Sequence, residues 1–373
     1  MSTERLLPPD VLKHVVDVHC HPTDAPEIPP EAMDELEITI CAMSSMKSDQ
    51  KKVAELARSY PSKVVPCFGY HPWFSYQIAV DPALSKEDHY RRLFLGQVKE
   101  ATEEHTQAFE RLVNLLPEPT PLSSILDEVR AHLIEFPDAM VGEVGLDRVF
   151  RVPYDYFAEK RELTPFIVPL EHQLTILEAQ LELAVELGRN VSIHSVKSQL
   201  ATLELLSKLA TKHGNRWYRI SIDMHSCGLS PQMWRDTEVR GTITVTNPTQ
   251  ILSPLQKKFT NIFLSLSTVI NGRHSNCRKL LQVCSDDRIL SESDFNDVRH
   301  VTDQTVEIIQ LIAEVKGWSI EQEWDENVPW EERGVVRRLK DNWERFKKGG
   351  HRVPESKRRR AKKLLDSGSE GEE

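Results

Sequence analysis

Short apolar runs recur along this chain and alternate with stretches whose apolar residues have helical spacing. Each run is rich in Val, Ile and Leu on both strand faces, which is typical of a strand buried between two layers. Such strands alternating with helices predict an α/β fold with a parallel sheet. Eight runs fit this description: 15–21, 37–43, 63–69, 140–146, 190–196, 219–225, 262–267 and 288–294.

Eight strands favour a closed (β/α)8 barrel, the TIM barrel, over an open sheet. A ninth apolar run, GTITVT at 241–246, is assigned to an insertion. The predicted architecture is therefore one barrel with additional segments attached to it.

Two helical stretches show the pattern between the strands. Apolar residues step by three or four in each, so each forms one buried stripe. The first ends at Gly188. The second is expected to start after Thr302 and Asp303 and to end near Gly317, as the last barrel helix. The stripes are Leu174, Leu177, Leu181 and Val185 in the first stretch, and Val306, Ile309 and Ala313 in the second.

Two regions exceed a minimal barrel, which we place at 1–317. The segment 72–139 is longer than one strand-to-strand connection needs, and its residues 88–116 are predicted to be a helical insertion. A basic helical extension follows at 318–350, and a disordered charged tail at 351–373. The extension carries an apolar stripe of Val336, Leu339, Trp343 and Phe346.

Composition excludes several classes of protein. The 373 residues are 39% hydrophobic and 28% charged, which is enough for one large core. No run approaches the roughly 20 apolar residues of a membrane span, and the start lacks the pattern of a secretory leader. The six cysteines form no CxxC pair, which indicates reduced thiols. We expect no membrane association.

Charge divides the chain into two regions. Residues 333–373 hold 14 Lys or Arg against 7 Asp or Glu and carry +7, whereas the rest holds 33 against 50 and carries −17. An acidic body binds nucleic acid poorly, because Lys and Arg supply most non-specific affinity. Metal ions or a small basic rim would have to hold such a substrate. The basic run 356–363 is a nuclear-import signal, a nucleic-acid arm or a solvated tail, and we expect the chain in cytoplasm and nucleus.

Histidines and carboxylates stand at the ends of the apolar runs. His19 and His21 project to the same strand face, although such a pair alone is as often two hydrogen-bonded core histidines. Glu143 lies in an apolar run, where an unpaired carboxylate is costly. Active sites of this barrel gather at the C-terminal ends of the strands, so six such groups predict one site. The six are His19, His21, Glu143, His194, His225 and Asp294.

These nitrogen and oxygen ligands, without cysteine, suit Zn²⁺, Mn²⁺ or Mg²⁺. Their number suffices for two divalent metal ions bridged by Glu143, the arrangement of many phosphoryl-transfer sites. A water deprotonated there would attack the substrate, with Asp294 as metal ligand and proton acceptor. Asp17 is expected to orient a ligand histidine, and Cys20 to point to the opposite face.

The remaining polar candidates are weaker. Asp147, Arg148 and Arg151 follow the fourth strand and form either a surface salt bridge or a phosphate contact. Other histidines lack a place at a strand end and are treated as ordinary. They are His89, His105, His132, His172, His213, His274, His300 and His351.

Six motifs, taken in order, resemble those of the TatD-like metal-dependent hydrolases, a branch of the amidohydrolase superfamily. The resemblance spans about residues 15–315. It implies a TIM barrel, divalent metals and, for several members, deoxyribonuclease activity on phosphodiester bonds. The motifs are DVHCHPTD, GYHPW, VGEVGLD, SIHS, MHSCG and ILSESD.

The resemblance also implies roles for single residues. The six candidate ligands match the family's ligand positions, His71 matches a residue near the scissile phosphate, and Glu292 has a supporting place. The chain departs from many relatives after His194, where a phosphate contact is lost or is supplied by Lys197. It also departs from them in the long segments 72–139 and 229–261. It is also similar to a fungal branch whose members are described as interactors of an anaphase-promoting-complex subunit.

Three functions therefore compete. The first is a metal-dependent phosphodiesterase or deoxyribonuclease, with DNA or another phosphodiester as substrate. The second keeps the metals but hydrolyses a small amide or ester. The third is a protein-interaction module with vestigial chemistry, which docks a cell-cycle partner through the insertion or the helix at 333–348. The six converging ligand types argue against complete loss of metal.

Overall fold

The computed structural model describes residues 7–96, 100–238, 259–272 and 276–354. Within these ranges eight parallel strands form one sheet in chain order, each paired with the next. They coincide with the eight apolar runs, so the predicted strands are confirmed. The strands are β1 (Val16–Cys20), β2 (Thr39–Met43), β3 (Val64–Phe68), β6 (Met140–Asp147), β9 (Val191–Val196), β10 (Ile222–Met224), β11 (Ile262–Leu266) and β12 (Ile289–Ser291).

The chain that follows the last strand meets the end of the first strand and closes the barrel there. Directly after β12, the backbone N–H of Asp294 donates to the carbonyl of His19 at 2.9 Å, and that of His21 donates to the carbonyl of Phe295 at 2.8 Å. The predicted TIM barrel is thereby confirmed.

Helices cover the outside of the barrel, because each buries one apolar face against the strands. The two helices singled out in the sequence are α7 (Leu170–Leu187) and α12 (Val298–Lys316). The others on the barrel wall or in its connections are α1 (Pro9–Leu12), α2 (Pro30–Glu35), α3 (Lys47–Ser59), α6 (Leu122–Glu135), α8 (Gln199–His213), α9 (Pro231–Thr237), α10 (Thr268–Asn271) and α11 (Asn276–Val283).

The predicted helix ends agree with the structure better than the predicted starts. α7 ends at Gly188 and α12 at Gly317, both in the left-handed conformation that glycine adopts without strain. The start of α12 after Thr302 is wrong. The helix begins at Val298, because the side chain of Asp297 caps it by accepting a backbone N–H.

The connection from β3 to β6 contains a layer beside the barrel. Two helices, α4 (Lys86–Phe94) and α5 (Glu103–Leu115), replace the single helical stretch predicted at 88–116. Thr102 starts the second helix by accepting the N–H of His105. Helix α6 lies within the same connection but packs on the main core. Two short strands, β4 (Ile78–Ala79) and β5 (Thr120–Pro121), pair in parallel there.

An antiparallel ribbon that the sequence did not predict follows β6. It consists of β7 (Arg151–Pro153) and β8 (Leu163–Ile167). Its buried Val152 and Phe166 share a second hydrophobic core with α4 and α5. Because β6 ends at the C-terminal rim of the barrel, the ribbon and the two helices stand beside the barrel mouth.

The C-terminal helix α13 (Val335–Lys348) closes the opposite end of the barrel. Trp343 and Phe346 pack against interior side chains such as Phe263, whose ring lies 5.2 Å from that of Phe346. The carbonyl of Phe346 accepts hydrogen bonds from Asn190 and Ser221, just before β9 and β10. The predicted apolar stripe is therefore buried in the barrel floor, and only the polar side of the helix faces solvent.

Two predicted segments lie outside the described residues: the GTITVT run, within 239–258, and the charged tail from residue 355 onward. The division into domains at residues 317 and 350 stays a prediction. None of the helices in the described ranges is long and apolar enough to cross a membrane.

Candidate metal centre

One oxygen of Glu143 faces the two histidines of the first strand. Oε2 lies 3.6 Å from Nε2 of His19 and 3.2 Å from Nε2 of His21. The carboxylate of Asp294 approaches the same two atoms, at 3.9 Å from His19 and 3.5 Å from His21. The closure of the barrel causes this proximity, since the chain after β12 pairs with the end of β1.

The other oxygen of Glu143 faces three further histidines. Oε1 lies 2.8 Å from Nδ1 of His194, 3.3 Å from Nε2 of His71 and 3.4 Å from Nε2 of His225. These histidines lie on β9 or just after β3 and β10. Parallel strands end at the same rim of a barrel, so their terminal side chains meet there. The structure thus brings all six predicted ligands together and adds His71 to them.

Two imidazoles are each held by a second hydrogen bond on the side of the ring away from the centre. Nδ1 of His19 lies 2.8 Å from the hydroxyl of Ser192, and Nδ1 of His225 lies 3.0 Å from Oε2 of Glu292. Each contact leaves Nε2 of the ring facing the centre. Ser192 was missed by sequence reasoning, because a serine in an apolar strand carries no signal of its own.

Asp147 belongs to the site, against the surface salt bridge considered from sequence. Its side chain is buried, and Oδ2 accepts a hydrogen bond from Nε1 of Trp73 at 2.7 Å and lies 3.5 Å from Nε2 of His194. Its position at the end of β6 was the signal that could have identified it. Arg151 instead donates to the carbonyl of Thr164 in the ribbon.

The remaining predicted residues lie around the cluster. Asp17 accepts hydrogen bonds from the backbone N–H groups of His19 and Ser293, so it aligns the backbone on both sides of the barrel closure. Lys197 follows β9 with an exposed side chain, and Arg148 is also exposed. In the described part of the chain, no histidine predicted to be ordinary joins a potential metal cluster. His274 lies outside the described residues.

Burial keeps part of the centre uncharged. It lowers the pKa of His19 to about 3 and that of His71 to about 4. For Glu143, burial disfavours the charged form, but the surrounding histidines outweigh it and hold the pKa well below its usual range. Burial raises the pKa of Asp294 to about 6. The site therefore offers the imidazole lone pairs of His19 and His71 beside a charged carboxylate. Neighbouring carboxylates outweigh burial at His21 and His225, where they raise the pKa to about 9 and well above its usual range respectively, so a bound cation would displace a proton from these rings.

This donor set fits divalent cations. In the described ranges every ion-pair partner of Glu143 is an imidazole, with no Lys or Arg among them. Buried histidines and carboxylates without an organic cation are the environment that a metal ion stabilises. Three overlapping groups could each hold an ion: His19, His21 and Glu143; His71, Glu143 and His194; and His19, His225 and Glu292.

Comparisons with known proteins identify the family of this chain. A family model described as TatD related DNase matches residues 16–328. Cut9-interacting protein scn1 of Schizosaccharomyces pombe is 30% identical over 338 residues, covering 83% of this chain and 95% of the relative. An uncharacterized deoxyribonuclease of Saccharomyces cerevisiae is 28% identical over 356 residues, covering 90% and 99%.

Solved structures support the fold. An uncharacterized amidohydrolase from Saccharomyces cerevisiae superimposes with a TM-score of 0.51 at 13% identity, covering 89% of this chain and 99% of that one. The TatD homologue YJJV from Escherichia coli gives 0.50 at 14% identity, covering 92% and 100%. The family resemblance seen in the motifs is confirmed: this chain belongs to the TatD-related DNase family of metal-dependent hydrolases.

Proposed function

We propose that this chain hydrolyses phosphodiester bonds in DNA, using two divalent ions bridged by Glu143. The observation that carries the proposal is that the two oxygens of this carboxylate face different histidines. Oε2 faces His19 and His21, whereas Oε1 faces His194 and His225. A carboxylate with separate histidines on each oxygen is suited to bridge a pair of ions.

Each half of the centre has its own proposed ligands. One ion would be held by His19, His21, Asp294 and Oε2 of Glu143. The second would be held by Oε1 with the remaining two histidines of the predicted set, His194 and His225. The imidazole-rich donor set favours Zn²⁺ or Mn²⁺ over Mg²⁺.

The chain's own residues would supply proton transfer and substrate contacts. Divalent ions bound here would supply Lewis acidity toward a phosphoryl oxygen and lower the pKa of an attacking water. The side chain of Asp294 is 14% exposed against 4% for Glu143, so it is the carboxylate better placed to accept the proton of that water. His71 and Lys197 are proposed to contact the phosphate.

DNA is the proposed substrate because the relative in Saccharomyces cerevisiae is named a deoxyribonuclease. Outside residues 333–373 the chain carries −17, so general attraction to DNA is weak. Binding would then depend on the metal centre and on contacts beside it.

The test combines metal analysis with hydrolysis of DNA and of a chromogenic phosphodiester. The wild type should contain metal and cleave both substrates, whereas Glu143→Ala and Asp294→Ala should lose cleavage. Glu186→Gln is the matched control, because this glutamate is exposed and pairs with Arg130. Equal cleavage by wild type and both site variants would reject the proposal. Hydrolysis of a small amide or ester without any cleavage of DNA would favour the amidohydrolase alternative.

We also propose a protein partner, since one fungal relative is named a Cut9-interacting protein. The apolar stripe of α13 is buried in the barrel floor, so a partner would contact the polar side of α13 or the α4–α5 layer. Binding of purified Cut9 by wild type, but not by Lys347→Glu with Lys348→Glu, would assign the contact to α13. Undiminished binding by the variant would instead assign the contact to the α4–α5 layer. Absence of binding by the wild type would reject the proposed partner.

The location in cytoplasm and nucleus also remains a proposal. It depends on the basic run 356–363, which lies outside the described residues. Replacing the Lys and Arg of this run by Ala should shift a fluorescent fusion from nucleus to cytoplasm. An unchanged distribution would remove the import role of the run.

A further inference from the structure

Two aromatic side chains from different parts of the chain stack beside the metal centre. Trp73 lies in the turn that follows β3, and Phe150 in the turn that follows β6. Their rings are 4.9 Å apart at their centroids and 12° from parallel. Both side chains are partly exposed. Together they form an aromatic surface at the rim of the barrel.

One buried carboxylate fixes both rings relative to the site. Oδ2 of Asp147 accepts the indole N–H of Trp73 at 2.7 Å, and its other oxygen accepts the backbone N–H of Phe150 at 3.0 Å. The same Oδ2 lies 3.5 Å from Nε2 of His194. The aromatic surface is therefore coupled directly to a proposed metal ligand.

The distance to the proposed phosphate contact is also short. The ring of Trp73 lies 4.9 Å from that of His71 and 6.4 Å from that of His194. The backbone N–H of Trp73 donates to Nδ1 of His71 at 3.2 Å. A phosphate held at His71 would place its neighbouring nucleotide beside these two aromatic rings.

The chemistry of this surface suits a flat, apolar ligand. The only polar atom of the indole ring already donates to Asp147, so the ring surface that Phe150 leaves uncovered offers apolar contact. Aromatic side chains beside a nucleic-acid backbone stack on bases, and such stacking tolerates any base because each has a π-face. A chain with an acidic body needs attraction of this kind, which does not depend on net charge.

We propose that Trp73 and Phe150 form a stacking surface for the nucleobase adjacent to the scissile phosphodiester. The inference rests on the proposed function, and the aromatic surface would explain why the chain prefers a nucleotide substrate. Both residues bind substrate, and neither takes part in proton transfer or metal binding.

The test compares an oligodeoxynucleotide with copies that carry an abasic tetrahydrofuran unit on either side of the cleaved bond. For the wild type, removing one of these bases should raise KM by about tenfold or more, with a smaller change in kcat. Phe150→Leu should raise KM for the intact strand to a similar extent and leave KM for that abasic strand unchanged. Phe150→Tyr should restore the low KM.

Controls separate this surface from folding and from the general function. Trp330→Leu removes a partly exposed tryptophan of the C-terminal extension and should keep the wild-type preference for the intact strand. Thermal unfolding of each variant checks that it folds. Equal KM for intact and both abasic strands in the wild type, or equal changes for all strands in Phe150→Leu, would overturn the stacking surface alone. Failure to cleave any strand or the chromogenic phosphodiester would instead reject the proposed function and the surface with it.

Discussion

Oε2 of Glu292 lies 3.0 Å from Nδ1 of His225, and this contact turns Nε2 of the imidazole toward Glu143. Glu292 is fully buried, and its other oxygen accepts the backbone N–H of Ser226. Burial opposes the charge on Glu292, but His225 outweighs it and lowers the pKa to about 2. A charged acceptor behind the ring places the proton on Nδ1 and leaves Nε2 free to bind a cation.

Replacing Glu292 by Gln should therefore weaken metal binding without removing a proposed ligand. We expect a loss of about 10- to 100-fold in metal affinity, because the imidazole loses its charged acceptor. Titration of metal-free protein with Zn²⁺ or Mn²⁺ measures the change. Glu186→Gln, on the exposed surface, is the control, and equal affinities for the two variants would contradict this role of Glu292.

Asp294→Asn tests proton transfer. The variant keeps an oxygen that can bind a cation but cannot accept the proton of the attacking water. We expect kcat for a chromogenic phosphodiester to fall by about 10²- to 10⁴-fold. Asp303→Asn, on the exposed side of α12, should retain the wild-type kcat. If Asp294→Asn matched that control, another group would have to be the proton acceptor.

Phe346→Ala tests the barrel floor. Phe346 is completely buried between Trp343 and Phe263, so truncating it leaves a cavity. We expect a loss of about 3–5 kcal/mol in the free energy of unfolding. Urea denaturation measures it, and the exposed neighbour Lys347→Ala should change it by no more than about 0.5 kcal/mol. Equal stability of both variants would show that α13 is not part of the core.

The pKa of His351 predicts that the stability of the folded chain depends on pH. Burial, assisted by Arg288 and Arg345, lowers its pKa from 6.5 to about 4 in the folded chain. Between these two pKa values the unfolded chain binds more protons at this residue than the folded chain does. The free energy of unfolding therefore falls as the pH is lowered through this range, and the full stabilising contribution of His351 is present above pH 6.5. His351→Gln can still hydrogen-bond Ser221 and should show a shallower fall in urea unfolding from pH 6.5 to 4. An equally steep fall would contradict this assignment.

The barrel strands were predictable because parallel strands covered on both sides are apolar throughout, and the run at 140–146 lies entirely within β6. The ribbon formed by β7 and β8 was not predictable from the sequence. Its strands are short and obtain their core from α4 and α5, which are distant in sequence. The start of α12 was misplaced because apolar spacing marks the buried face of a helix, whereas the capping side chain of Asp297 marks its first turn.

The candidate site was likewise predictable only in part. Histidines at strand ends stand out against apolar runs, so His194 and His225 were predicted as ligands and meet at Glu143 in the structure. Ser192 and Trp73 contact site residues that lie on other strands, and their proximity to the centre depends on the folded barrel. A single sequence cannot reveal such contacts between distant positions.

The number of metal ions bound per chain tests the central claim most directly. Inductively coupled plasma mass spectrometry of purified protein, saturated with Zn²⁺ or Mn²⁺ and freed of excess ions, should find about two ions per wild-type chain. Glu143→Ala should lose both, because each ion shares this carboxylate. A wild-type chain that retains no metal, or a Glu143→Ala variant that retains as much as the wild type, would contradict the account.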